Sequence, residues 1–321
     1  MSEITHTTYR SEYKGTGESL FFLCLTNFIL RVVTLNIYYP WAKTNFRRYV
    51  WANTYFLSEP LVYRGLGKEI FIGFLKVIGI YFGYGIVNAV LGYAIGGTAG
   101  TIVTAALGAF LAAYFLPRII LGTYRYRLTR TTWRGVRFGV KAIEKPFTLA
   151  MIKGWLLTII TLGFYYPLFF RTIYQMRTDA TFFGNLNFRY SGKAGEEYAI
   201  WVKGVLLSIL TLGIYSFWFH AELMRYRFAH THVGEATLSR HITGVDFFVL
   251  YFLCGLGILF TLGLAYPWVF SYRVRVLAEK TFVTGAIDFD GVVQAVNAGG
   301  AAGDAAADFF DIGDVGFSFD L

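Results

Sequence analysis

The side chains best suited to chemistry in this sequence are cations at regular spacing. Arg125, Arg225 and Arg275 are separated by multiples of 50 residues, and the pair Arg47 and Arg48 precedes them. Arg48, Arg125, Arg225 and Arg275 each stand six residues before a threonine: Thr54, Thr131, Thr231 and Thr281. A guanidinium group is a planar fork that holds phosphate or carboxylate through paired hydrogen bonds, so the set reads as an anion or lipid-headgroup site. The competing role is anchoring at a membrane surface and signalling topology, which the interleaved aromatics favour. His220, Glu222, His230, His232 and His241 gather in one stretch and offer nitrogen and oxygen ligands. Such spacing is common and no cysteine lies near, so no metal site and no cofactor are expected. No phosphate loop, dinucleotide fingerprint or nucleophile elbow occurs, and no acid, base and nucleophile converge. An enzyme is therefore not expected.

The elements that must position these residues are apolar. The chain has 321 residues, of which 55% are hydrophobic, 19% aromatic and only 15% charged; soluble domains carry about 25% charged residues. That composition excludes an ordinary soluble enzyme and disorder for most of the length. Cys24 and Cys254 lie in apolar runs and read as packing residues. The polar start, MSEITHTTYRSEYKG, is not a cleavable signal peptide. The net charge of +9 combines seven Asp without Lys, Arg or Glu in residues 286–321 with +16 in residues 1–285. With so many apolar segments, a basic body points to anionic membrane lipids as partners and not to nucleic acid.

A motif recurs along the chain. Thr161-Leu162-Gly163-Phe164-Tyr165-Tyr166-Pro167 returns as Thr211-Leu212-Gly213-Ile214-Tyr215-Ser216-Phe217-Trp218 and as Thr261-Leu262-Gly263-Leu264-Ala265-Tyr266-Pro267-Trp268, with a period of 50. An earlier copy runs from Thr34 to Pro40 and Trp41, and a degenerate one starts at Leu111 and keeps only Pro117. Counted from these anchors at 34, 111, 161, 211 and 261, a threonine stands 20 residues on every time. A shared offset in five copies is the signature of an internal repeat. Each unit reads as an apolar helix, an interfacial Tyr-Pro-Trp patch, a basic stretch and a short alternating strand. Units two to four supply Phe138/Val140, Phe188/Tyr190 and Leu238/Arg240 to those strands, and the fifth, Ile287/Phe289/Gly291, slips by one residue. An insertion of 27 residues between the first two anchors reads as room for an extra span.

The expected fold is an all-α polytopic membrane protein of about six transmembrane helices, near 19–41, 70–93, 98–117, 147–169, 199–219 and 247–270, with short β segments between repeats of about 50 residues. Residues 1–285 form its transmembrane domain and 286–321 an acidic tail. A competing arrangement makes each Thr-Leu-Gly motif a bend, so that every basic stretch returns to one face and the strands pair with one another. It would draw Lys43 and His220 into hydrocarbon at ~3 kcal/mol or more each, which favours the six crossings. Arg31, Lys76, Lys153 and Lys203 are cations inside apolar segments, functional candidates by default. No acidic residue lies in these spans to form a proton relay.

Thr211–Trp218, Arg225 with Thr231, Phe188-x-Tyr190-x-Gly192 and Arg47-Arg48-Tyr49 followed by Asn53-Thr54 resemble the bacterial inner-membrane family called domain of unknown function 898, or YjgN-like. The resemblance covers nearly the whole chain and implies a bacterial cytoplasmic-membrane location; it implies no reaction. The functional expectation is a small-solute transporter or channel-like protein, with a non-transporting scaffold or anionic-lipid-binding protein as the alternative.

Overall fold

The computed structural model describes residues 8–287, 289, 291 and 292. Strand β1 (Thr8–Tyr13) leads into helices α1 (Gly17–Val33) and α2 (Tyr39–Ala52), then strands β2 (Thr54–Phe56), β3 (Glu59–Pro60) and β4 (Val62–Tyr63). Two long helices follow, α3 (Gly67–Ile95) and α4 (Gly97–Thr129), then β5 (Thr131–Trp133) and β6 (Val136–Val140). Next come α5 (Glu144–Ile160), α6 (Tyr166–Ala180), β7 (Thr181–Phe183) and β8 (Leu186–Tyr190). The order recurs in α7 (Ala194–Leu210), α8 (Ser216–Ala229), β9 (Thr231–Val233) and β10 (Ala236–Arg240). The chain then passes through α9 (Gly244–Phe247), a π-helical stretch Phe248–Leu253 and α10 (Cys254–Phe260) to α11 (Tyr266–Glu279) and β11 (Thr281–Thr284).

All eleven strands form one antiparallel sheet in the order β3-β2-β1-β11-β10-β9-β8-β7-β6-β5-β4. Its two ends, β3 and β4, flank Leu61 in a single extended stretch. The Leu61 N–H donates to the Thr54 carbonyl at 2.9 Å and the Arg64 N–H to the Arg130 carbonyl at 2.7 Å. The sheet is thereby a nearly closed barrel, which removes the exposed edges of such short strands. Two hairpin turns, at Leu57-Ser58 and Arg134-Gly135, have positive φ at both central residues; those after β7 and β9 place Gly184 and Gly234 there first. These are the primed turns whose twist suits tight hairpins.

This architecture replaces the all-α, six-span expectation. The apolar length had been counted across a reversal of direction: the stretch 199–219 is divided between α7 and α8, which pack antiparallel. Among the described residues only α3 and α4 are long and apolar enough to cross a membrane. The 27 inserted residues add no separate span; they lengthen both arms of one helical hairpin, to 29 and 33 residues. At the degenerate second copy no turn forms. Without Thr, Leu and Gly the helix passes uninterrupted through Pro117, and the reversal lies earlier in the chain, at Gly96-Gly97, where φ is +64° and +53°. Lys43 is buried within the protein, so the hydrocarbon cost assigned to it does not arise. The return strand expected at 287–291 is supplied by the other end of the chain: β1 pairs with β11 through Thr8↔Thr284 and with β2 through Tyr13↔Thr54. Of the acidic tail, most lies outside the described residues.

The helices are fixed to the next stretch of chain by tryptophan on glycine. Trp41 lies over Gly67, Trp218 over Gly244 and Trp268 over Gly17, so close that a β-carbon would sit 2.7, 2.3 and 2.3 Å from the indole. Where the tryptophan position holds Arg118 or Leu168, the glycine position holds Glu144 or Ala194. Gly244→Ala should cost about 1–3 kcal/mol through overpacking. In a Trp218→Leu background the same change should cost under about 0.5 kcal/mol, since the two sites share one contact. Melting of the four variants in detergent measures both.

Candidate functional site

The recurrent motif is a turn in which every backbone N–H, from Thr161 to Tyr166 in the third copy, has a partner. The Thr161 hydroxyl donates to the Leu157 carbonyl at 2.7 Å and accepts the Tyr165 N–H at 3.0 Å, bonding the end of α5 to the start of α6. Thr34, Thr211 and Thr261 make the same two bonds. The Gly163 N–H reaches back to the Thr158 carbonyl at 2.7 Å, and Gly213 and Gly263 do likewise. Leu35, Leu162, Leu212 and Leu262 take left-handed φ near +50°, a conformation rare for a branched apolar residue, and Pro40, Pro167 and Pro267 open the second helix. These leucines are 88–95% exposed, flanked by exposed Ile37, Phe164, Ile214 and Leu264. Water favours glycine or asparagine at such a turn; hydrocarbon demands the opposite side chain and a satisfied backbone.

Below the turns lies a belt of cations. Lys76, Lys153 and Lys203 are all exposed, and each stands nine residues after the first residue of its helix, Gly67, Glu144 and Ala194. The Lys203 ammonium bonds Glu222 of α8 at 2.5 Å.

At the other end of the helices the sequence-predicted arginines hold backbone corners. Arg48 donates to the Gly65 carbonyl at 2.9 Å, Arg225 to Ile242 at 3.0 Å and Arg275 to Gly15 at 3.1 Å, each at the passage from strand to helix. Where Gln175 stands in their place, Arg171 one turn earlier donates to Gly192 at 2.5 Å and Gln175 braces it. Arg125 instead pairs with Glu144 at 2.5 Å. Arg47 is fully buried and donates to the Tyr63 hydroxyl at 3.0 Å.

The barrel lumen holds a chamber of about 290 Å³. Thr54, Thr131, Thr181, Thr231 and Thr281 ring it, and each hydroxyl donates to the carbonyl four residues back, at 2.7–2.8 Å. Phe56, Trp133, Phe183 and Val233 form the next tier, and Phe138, Phe188 and Leu238 line the return strands. The Phe289 ring lies across the hairpin end, with centroids 5.4, 5.5 and 5.3 Å from Tyr9, Phe56 and Trp133. Carbon walls around empty space lose their dispersion partners, so the geometry favours an apolar occupant.

A family model described as bacterial protein of unknown function (DUF898) matches residues 8–198, 185–226 and 218–309. The chain belongs to this family. It is 29% identical over 143 residues to an inner membrane protein YjgN of Salmonella typhimurium strain LT2, covering 44% of this chain and 32% of that relative. It is 30% identical over 135 residues to the YjgN of Escherichia coli strain K12, covering 42% of this chain and 32% of the relative. The chain thus spans about a third of the length of the curated relatives it matches. No solved structure matches it. This DUF898 chain is a bacterial inner-membrane protein.

The structure does not bring the histidines together. His232 bridges Ser191 and Thr237 at 2.9 and 3.0 Å, while His220 and His230 bond helix carbonyls of their own turns. Sequence reasoning missed the ion pairs that tie the two arms of a hairpin together. Glu197, 1% exposed, accepts from Arg227 at 2.5 Å and from the Tyr190 hydroxyl at 2.8 Å; removing one member of such a buried pair costs ~3–5 kcal/mol. Arg130–Glu69 at 2.6 Å and Lys280–Asp246 at 2.5 Å join helices in the same way. The signal was an acid two or three residues into each of these first helices, facing a cation near the end of the next second helix. Burial pushes the Asp246 carboxyl up, but Lys280 and the Thr243 hydroxyl and N–H hold it below the usual carboxylate range. A depressed carboxylate stabilises above its unfolded value of about 4, and that contribution is lost as pH falls through the folded value. The gap in melting temperature between the native chain and Asp246→Asn should therefore be widest above pH ~4 and close below it, as melting at stepped pH reads directly.

Proposed function

We propose that the chain is a non-transporting, lipid-binding scaffold of the inner membrane, built as a ring of five related hairpin units around the barrel. Four helical hairpins enter one leaflet, and the long hairpin of α3 and α4 crosses to the other side. The observation that carries this reading is the spacing between the lysine belt and the turns. From Lys153 to Leu162, and from Lys203 to Leu212, is nine residues, or ~13 Å of helix, about half of a ~30 Å hydrocarbon core. From Lys76 to Gly96 is twenty residues, or ~30 Å, the full thickness. Arg118, whose guanidinium lies 3.6 Å over the Tyr114 ring, marks the same level on the returning arm. At that level ammonium groups meet phosphates, each worth about 1 kcal/mol on anionic lipid.

The carbon-lined lumen favours this alternative over a conduit for small solutes, because its threonine hydroxyls are engaged by helix carbonyls. Spin labels at Leu212→Cys and Thr98→Cys, with Cys24 and Cys254 replaced by alanine, test the depths in phosphatidylethanolamine–phosphatidylglycerol vesicles. The label at 212 should relax most strongly with oxygen, as at the bilayer centre, and that at 98 with aqueous nickel, as at a headgroup. A label at 212 that meets nickel as freely as one at 98 would contradict the reading.

A further inference from the structure

We infer that the barrel chamber binds a single hydrocarbon chain from the membrane, an acyl chain carried by a free fatty acid or by a phospholipid. At about 290 Å³, it falls just short of the ~300–1,000 Å³ range of ligand pockets. Phe56, Phe138, Phe183 and Phe188 give its strand wall carbon faces, and the threonine hydroxyls between them are spent on helix carbonyls. A polar solute would bury groups without partners there, and water would find few, so both are poor occupants. The lining descends in tiers, from Val50, Leu128 and Phe228 at the helix ends through the threonine ring to Phe56 and Trp133. Residues two apart on one strand face are separated by ~7 Å, so successive tiers of the lining lie at successive depths along the barrel. Charge agrees with an acyl source: Arg127 and Arg240 line the chamber and no carboxylate does, among the described residues.

Entry follows from the helices. α2, α6 and α8 each begin beside an exposed leucine turn and end at a chamber residue, Trp51, Thr178 and Phe228. The opposite end is crossed by Phe289. A chain therefore enters from the helix side, which is the bilayer side on the membrane reading above; the chemistry of the wall does not rest on that reading.

Photolabelling of the full chain in phosphatidylethanolamine–phosphatidylglycerol vesicles tests the inference. Two probes carry a diazirine in mid-chain: a free fatty acid and a phosphatidylglycerol. Adducts are mapped by mass spectrometry. Adducts on the peptides holding Phe138, Phe188 or Leu238 are expected from at least one probe, and which one names the source. Adducts at Leu162 and Leu212 report ordinary bilayer contact. Val283→Trp, which fills the chamber, should cut the chamber adducts tenfold or more with the turn adducts unchanged. The milder Leu238→Phe should cut them severalfold. Turn adducts without chamber adducts from either probe overturn the inference and leave the membrane reading standing. Chamber adducts that persist at full yield in Val283→Trp also overturn it. Absence of both kinds of adduct overturns the inference together with the membrane reading.

Discussion

One two-way hydrogen bond organises the molecule. At four turns a threonine hydroxyl donates to the helix it ends and accepts from the helix it begins. That bond lets a chain reverse without exposing an unpaired amide, the condition for a turn surrounded by lipid. The left-handed leucine beside it carries a strain of about 1 kcal/mol or more, which burial of its side chain in hydrocarbon, on the reading proposed above, would offset. The converse is seen in the same chain. At the second motif the threonine, leucine and glycine are missing and no reversal forms; the turn of that hairpin lies earlier in the chain, at Gly96-Gly97. Turn chemistry and the 27 inserted residues together therefore separate four short hairpins from one long one.

Because each reversal brings the chain back to its starting level, all strands meet on one side and can pair. The barrel, the arginine-held corners and the ion pairs between the two arms of a hairpin are consequences of that return. They divide the molecule into an apolar crown, a cationic belt and a carbon-lined chamber along one axis. A cation in this chain works by height. Lys76, Lys153 and Lys203 stand level when counted from the starts of their helices, although counting from the turns scatters them.

Much of this was legible in the sequence, but not its direction. The return strands that hold Phe138/Val140, Phe188/Tyr190 and Leu238/Arg240 stand where the spacing put them, whereas the one expected at Ile287/Phe289/Gly291 is replaced by β1. The six crossings failed because hydropathy sums apolar length without sensing a reversal: residues 199–219 are apolar enough to span, yet Leu212-Gly213 folds them in two. The arginines were visible as a set, but their carbonyl partners lie 17 residues away for Arg48 and Arg225 and 260 for Arg275. The strand that closes the barrel had a readable mark. Tyr13-Lys14-Gly15 repeats the Tyr-x-Gly of Tyr63 and Tyr190, where the ring folds over the glycine. Its place at the opposite end of the chain hid the match, as distance in sequence hides any closure of a ring.

The claim on which the account stands is that all hairpin turns of the barrel face one side of the membrane, the cytoplasmic side by the excess of lysine and arginine there. Single cysteines at Ser58, Arg134, Asn185 and Glu235, in a chain without Cys24 and Cys254, can be probed with an impermeant maleimide in intact and permeabilised cells. The account predicts that all four label only after permeabilisation of the inner membrane. Labelling of Asn185 from outside while the other three stay protected would restore alternating crossings and contradict it.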